Sequence, residues 1–155
     1  MKNLLLGVCS VAVMAVAIAA PNLPYDDKAD AKTDMQAALA QAKAANKKVL
    51  AIFGANWCPD CRELDKAMHG KSAPQIASQF VVVKVDVGQF DKNLDVAQVY
   101  GNPIKKGIPA AVVLTADNQV LYATRAGELA NARRMGEDGI YDFFSGVIEK
   151  QQAAR

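Results

Sequence analysis

Val49-Leu50-Ala51-Ile52-Phe53-Gly54-Ala55-Asn56-Trp57-Cys58-Pro59-Asp60-Cys61 joins an apolar run, a glycine stop and two cysteines separated by two residues. The run Val49 to Phe53 suits a strand buried on both faces, and Gly54 ends it. A helix-like segment, Arg62 to His69, leads out. With Cys58 as the N-cap, Pro59 falls at the first helical position, where its fixed φ and missing N–H cost nothing. Cys61 is then the third helical residue. A cap sulfur can accept from backbone N–H groups at a helix end that carries partial positive charge. Both effects favour a thiolate, which makes Cys58 the expected nucleophile. Cys61, one turn on, is close enough to resolve a mixed disulfide.

The 155 residues fit one domain, 52% apolar and 22% charged. The formal net charge is +2 with no long basic run, which argues against nucleic acid as a partner, because phosphate binding needs clustered Lys and Arg. Residues 1–19 read as a signal peptide: Lys2, an apolar stretch from Leu4 to Ala20, and Ala17-Ile18-Ala19 as an A-x-A site with cleavage before Ala20. The alternative is an N-terminal membrane anchor, for which about 17 apolar residues are marginal. Cys9 leaves with the signal, so the mature chain keeps Cys58 and Cys61 in a compartment where disulfides form. A ring of about four residues stabilises by only about 2 kcal/mol on loop entropy. A domain with its own core gains little from that, so C-x-x-C at a strand–helix junction reads as a redox pair. A static disulfide and a metal site are the alternatives. A metal needs more ligands, and His69, eight residues beyond Cys61 on the same helix, is about 12 Å from it. Copper held by the two thiolates alone stays open.

Outward from the motif, residues 20–32 form an extended lead-in and residues 33–152 the domain. Thr33 or Asp34 can cap a helix to about Asn46, with Met35, Ala38, Leu39, Ala42 and Ala45 at helical spacing. Ser72 begins another short helix. Phe80 to Val87 is a β-branched strand, and Asn93 to Tyr100 a helix. Ala110 to Leu114 and Gln119 to Thr124 make a hairpin around Asp117-Asn118. A last helix runs from Glu137 or Gly139 to Gln151. Two strands joined through a helix make a parallel unit. With the hairpin they give an α/β fold: a four-stranded mixed sheet with helices on both faces.

This order, with Trp57-Cys58-Pro59-Asp60-Cys61 between the first strand and its helix, resembles the thioredoxin fold. Val83-Lys84-Val85-Asp86 is similar to its central strand. Tyr100-Gly101 and Gly107-Ile108-Pro109 resemble the segments before its third core strand, and Ala126-Gly127 its glycine after the hairpin. The resemblance covers about residues 47–130. It is nearest to the secreted bacterial thioredoxin-like thiol–disulfide oxidoreductases and to the C-terminal domain of the membrane protein that feeds them electrons. Two departures stand out. The family's reductases carry a buried acid six residues before the first cysteine, where this chain has Ile52; and Pro59-Asp60 replaces Gly-Pro between the cysteines. Asn102 to Lys105 is an insertion.

The resemblance implies a cis Ile108–Pro109 peptide beside the disulfide, leaving the Ile108 backbone free to pair with a substrate strand. Trp57 covers the sulfurs or serves as a substrate platform. Asp60 suits the helix dipole, yet its charge disfavours a Cys58 thiolate and would push the pair toward the reducing end. Lys84 in so apolar a strand needs a partner, with Asp86 the obvious one and tuning of the sulfurs the functional alternative. Arg133-Arg134 reads as polar surface. The expectation is a periplasmic or secreted enzyme that reduces disulfide-containing protein substrates, uses no cofactor beyond the Cys58–Cys61 pair and no metal, and is re-reduced by an inner-membrane electron donor. The alternatives are an oxidase or isomerase, or a non-enzymatic copper- or protein-binding module.

Overall fold

The computed structural model describes residues 23–153. The proposed signal peptide, Cys9 and the first residues of the lead-in lie outside them. Helix α1 (Ala31–Ala45) leads into strand β1 (Lys48–Gly54), followed by α2 (Pro59–His69), α3 (Ala73–Gln79) and β2 (Phe80–Asp86). Then come α4 (Leu94–Val99), a 3-10 turn at Pro103–Lys106, β3 (Ala110–Leu114), β4 (Val120–Ala123) and α5 (Ala132–Ala153). The 3-10 turn is where the insertion lies.

The sheet order is β2-β1-β3-β4. β1 pairs with β2 in parallel, Lys48 beside Phe80 and Gly54 beside Asp86, and with β3 antiparallel, Val49 beside Leu114 and Phe53 beside Ala110. β3 and β4 close the hairpin, Val112 beside Ala123. The mixed α/β sheet expected of the thioredoxin fold is therefore present. β1 is buried from Val49 to Gly54 without alternation, which requires cover on both faces. α1 packs on β1 and β2, while α2 packs against α5. Phe53, Leu50, Ile52, Leu64, Ile140 and Phe144 are fully buried at the centre.

Two helix starts differ from the sequence reading. α1 begins at Ala31, capped by Asp30, whose carboxylate accepts from the N–H groups of Lys32 and Thr33. An aspartate with free N–H groups two and three residues ahead outcompetes Thr33 or Asp34 for this position. α5 begins at Ala132 but is interrupted at Gly136 (φ 65°, ψ −180°), a backbone conformation that glycine adopts without a Cβ clash. The stretch after that break is the helix expected from Glu137 or Gly139. Among the described residues no helix is long and apolar enough to cross a membrane.

Candidate active site

β1 delivers the chain to the site and α2 starts there. Cys58 caps α2 from an extended conformation (φ −77°, ψ 115°), with Pro59 opening the first turn. The Cys61 N–H donates to Cys58 Sγ at 3.1 Å, satisfying one of the helix's orphan donors. Cys58 and Cys61 are joined as a disulfide, their Cα atoms 5.2 Å apart. Cys58 is 4% exposed and Cys61 fully buried, so Cys58 is the sulfur nearer to an incoming group. Across the site Cys58 Sγ lies 3.7 Å from the Ile108 carbonyl oxygen. The Ile108–Pro109 peptide is cis, and β3 begins one residue later.

Trp57 stands at the rim, 45% exposed. Its indole N–H donates to the Gly88 carbonyl at 2.7 Å, and Phe90 meets it edge-on with ring centroids 6.2 Å apart. Phe90 is itself 43% exposed, so the two rings form an apolar ledge beside the disulfide. The Asn56 side chain accepts from the Tyr25 N–H at 3.0 Å and donates to the Tyr25 carbonyl at 2.7 Å, tying the lead-in to the loop before the cysteines.

Asp60 is not a lone charge. Its carboxylate accepts from the Arg133 backbone N–H at 3.0 Å and from the Arg133 guanidinium at 3.3 Å on each oxygen. Burial pushes the Asp60 carboxyl up, but the Arg133 hydrogen bonds and charge outweigh this and hold it below its usual range. Arg133, read from the sequence as polar surface, is thus part of the motif's surroundings, joining α5 to the first turn of α2.

Lys84 pairs with Asp65 of α2, not with Asp86. Asp86 is engaged elsewhere: it accepts from the Gly88 N–H at 3.1 Å and sits 3.6 Å from Lys92. Burial lowers the Lys84 ammonium to about 8. Asp65 was legible in principle. It stands four residues after Cys61, on the same side of α2 as the buried Leu64 and Met68. An acid there needs a partner across the interface. His69 ends α2 with Nδ1 2.8 Å from the Asp65 carbonyl oxygen and 3.5 Å from its carboxylate.

The structure therefore gathers Trp57, Cys58, Pro59, Asp60, Cys61, Ile108 and Pro109 at one end of the sheet. Lys84 lies further along β2, under α2. Tyr25, Phe90 and Arg133 were not singled out from the sequence, because nothing local marks contacts that span 31 to 73 residues. Among the described residues no three His, Cys, Asp or Glu side chains are gathered as a metal site would need.

The family model described as thioredoxin-like matches residues 30–116. The chain is 54% identical to a solved structure from Xylella fastidiosa Temecula1 described as a disulphide isomerase. That match covers 83% of this chain and 99% of the other, with a TM-score of 0.80. A thioredoxin from Thermus thermophilus shares the fold at 20% identity and a TM-score of 0.51, over 73% of this chain and 80% of its own. A stretch of 56 residues, 36% of this chain, is 41% identical to the thiol:disulfide interchange protein DsbD of Vibrio cholerae. That match spans 9% of the length of this curated relative.

Proposed function

The chain belongs to the thioredoxin-like family and is a thiol–disulfide oxidoreductase, and from that premise we propose that it reduces protein disulfides in the periplasm. The observation that carries the reading is the position of Cys58 Sγ: at the head of α2, taking the Cys61 N–H at 3.1 Å, and 3.7 Å from the Ile108 carbonyl. A substrate strand pairing with the Ile108 backbone would bring its disulfide to that sulfur. Trp57 offers the apolar platform beside it, and Pro109 keeps the pairing edge clear.

In this mechanism the Cys58 thiolate attacks one sulfur of the substrate disulfide. A Cys58–substrate bond forms, and the other substrate sulfur leaves as a thiolate that takes a proton from water. Cys61, deprotonated, then attacks Cys58 Sγ. The Cys58–Cys61 bond forms and the second substrate sulfur leaves, so two electrons pass from the protein to the substrate. Pro59 sets the first turn of α2 so that Cys58 keeps its cap. Asp60 and Lys84 tune the sulfurs through their charges. An inner-membrane electron donor returns the two electrons, and the signal-like residues 1–19 support secretion to that compartment.

Thiol trapping in intact cells tests the direction. A mainly reduced Cys58–Cys61 pair is the expected result. A pair found oxidised while the donor pathway is intact would overturn the reductase reading. The 54% identical relative described as a disulphide isomerase favours a second reading, in which the same attack reshuffles wrong disulfides. Recovery of activity from scrambled ribonuclease without net reduction would mark that outcome.

A further inference from the structure

Tyr25 is buried to 3% exposure, and among the described residues its hydroxyl has no hydrogen-bond partner. A buried hydroxyl left unpaired is costly, so its presence beside a reactive pair needs a reason. Its surroundings supply one. A Cβ built on Gly54 would stand 2.2 Å from the Tyr25 hydroxyl oxygen and 2.9 Å from Cys61 Sγ. Glycine at this position keeps open the space that borders both that oxygen and that sulfur. The approach is held from both ends. Asn56 grips the Tyr25 backbone with two hydrogen bonds, and Lys84 Nζ sits 5.6 Å from the centre of its ring.

The geometry points to Tyr25 as the hydrogen-bond donor to Cys61 in the reduced and mixed-disulfide states. A disulfide sulfur is a poor acceptor, and a thiolate is a strong one. The Tyr25 hydroxyl therefore gains its partner when the Cys58–Cys61 bond opens, and loses it when Cys61 attacks Cys58. Tyr25 keeps its proton throughout, and the Cys61 proton passes to water. Burial first, and the Asp86 carboxylate second, hold the Tyr25 phenol well above its usual range, which keeps it a donor at every working pH. Among the described residues, the charged groups near Tyr25 are Lys84 and Asp86 of β2. Each has its own counter-ion, Asp65 for Lys84 and Lys92 for Asp86.

The inference rests on the exchange chemistry proposed above, and Tyr25→Phe separates the two. Equilibration with glutathione should show the variant's dithiol–disulfide ratio moved about threefold to tenfold toward the disulfide; tenfold corresponds to about 30 mV. Melting of the oxidised form should be unchanged or raised, because an unpaired hydroxyl is gone, while the reduced form melts lower. A purely structural tyrosine would shift both redox forms alike and leave the glutathione ratio where it was, and that result would overturn the proposal. In a Cys58→Ser background, thiolate absorbance reads Cys61 directly. Adding Tyr25→Phe should raise the Cys61 pKa, and an unmoved titration would also overturn it. If the native chain reduces no protein disulfide, the functional reading fails, while the Cys61 titration still decides the role of Tyr25.

Discussion

Asp60 and Arg133 together set the charge at the head of α2. The sequence presents Asp60 as a negative charge beside Cys58, and the structure adds a guanidinium that offsets much of its field. Removing either partner should move the reduction potential in opposite directions. Asp60→Asn leaves Arg133 uncompensated, favours the Cys58 thiolate and raises the potential; Arg133→Gln exposes Asp60 and lowers it. Each shift is expected to be about 10–30 mV, less than or equal to one pKa unit's worth, read by equilibration with glutathione. Like-signed shifts would mean the pair acts through packing. Lys84 carries a second test. Its ammonium falls from 10.5 in the unfolded chain to about 8 in the fold. Between those values the unfolded chain binds more protons, so this group adds stability as pH rises from about 8 to 10.5. Below pH 8 both states are protonated and its burial weakens the fold. Chemical unfolding across that range should show native protein gaining on Lys84→Met as pH rises. Parallel curves would refute it. The sequence could show that Lys84 needed a partner. It could not choose between Asp86 two residues away and Asp65 on another element, because that choice is made by packing.

At the scale of elements, the reach of sequence reasoning follows how local each cause is. The cysteine helix was fully legible, since its cap, its proline and its dipole all lie within one turn. β1 and β2 were legible from their apolar runs. The start of α1 was missed because two later residues, Thr33 and Asp34, also suit a cap, while Asp30 wins by reaching the Lys32 and Thr33 N–H groups at 3.0 and 3.1 Å. Asp30→Ala should therefore lower the urea midpoint of unfolding, whereas Asp34→Ala should lower it much less. Equal losses would put the cap elsewhere. The break at Gly136 has a local signature, a glycine in a polar stretch. The piece of α5 before it does not, because it is held by Arg133 reaching Asp60 across 73 residues.

For the whole molecule, α5 completes a core that the matched family region, residues 30–116, does not contain by itself. Phe144 and Ile140 are fully buried, and α5 lies against α2, whose N-cap is Cys58. Phe144→Ala should cost about 3–5 kcal/mol and lower the melting temperature of both redox forms equally, because it acts below the site. A loss confined to one form would tie α5 to the redox state. Fold class was legible here, since alternation of strand and helix leaves few topologies, whereas the β2-β1-β3-β4 order comes from the structure. The pairings of α2 with α5 and of Tyr25 with the motif loop were not, because amphipathic faces do not name their partners. One strand separates itself from the rest. β1 is laddered on both sides, to β2 and to β3, and lies beneath helices. Its amides should be among the last to exchange with deuterium, opening only when the whole domain unfolds. Gly54 is its final residue, four positions before Cys58. The sulfur chemistry is thus anchored to the slowest-opening part of the molecule, and fraying at β4 or in the hairpin leaves the distance between the two sulfurs unchanged.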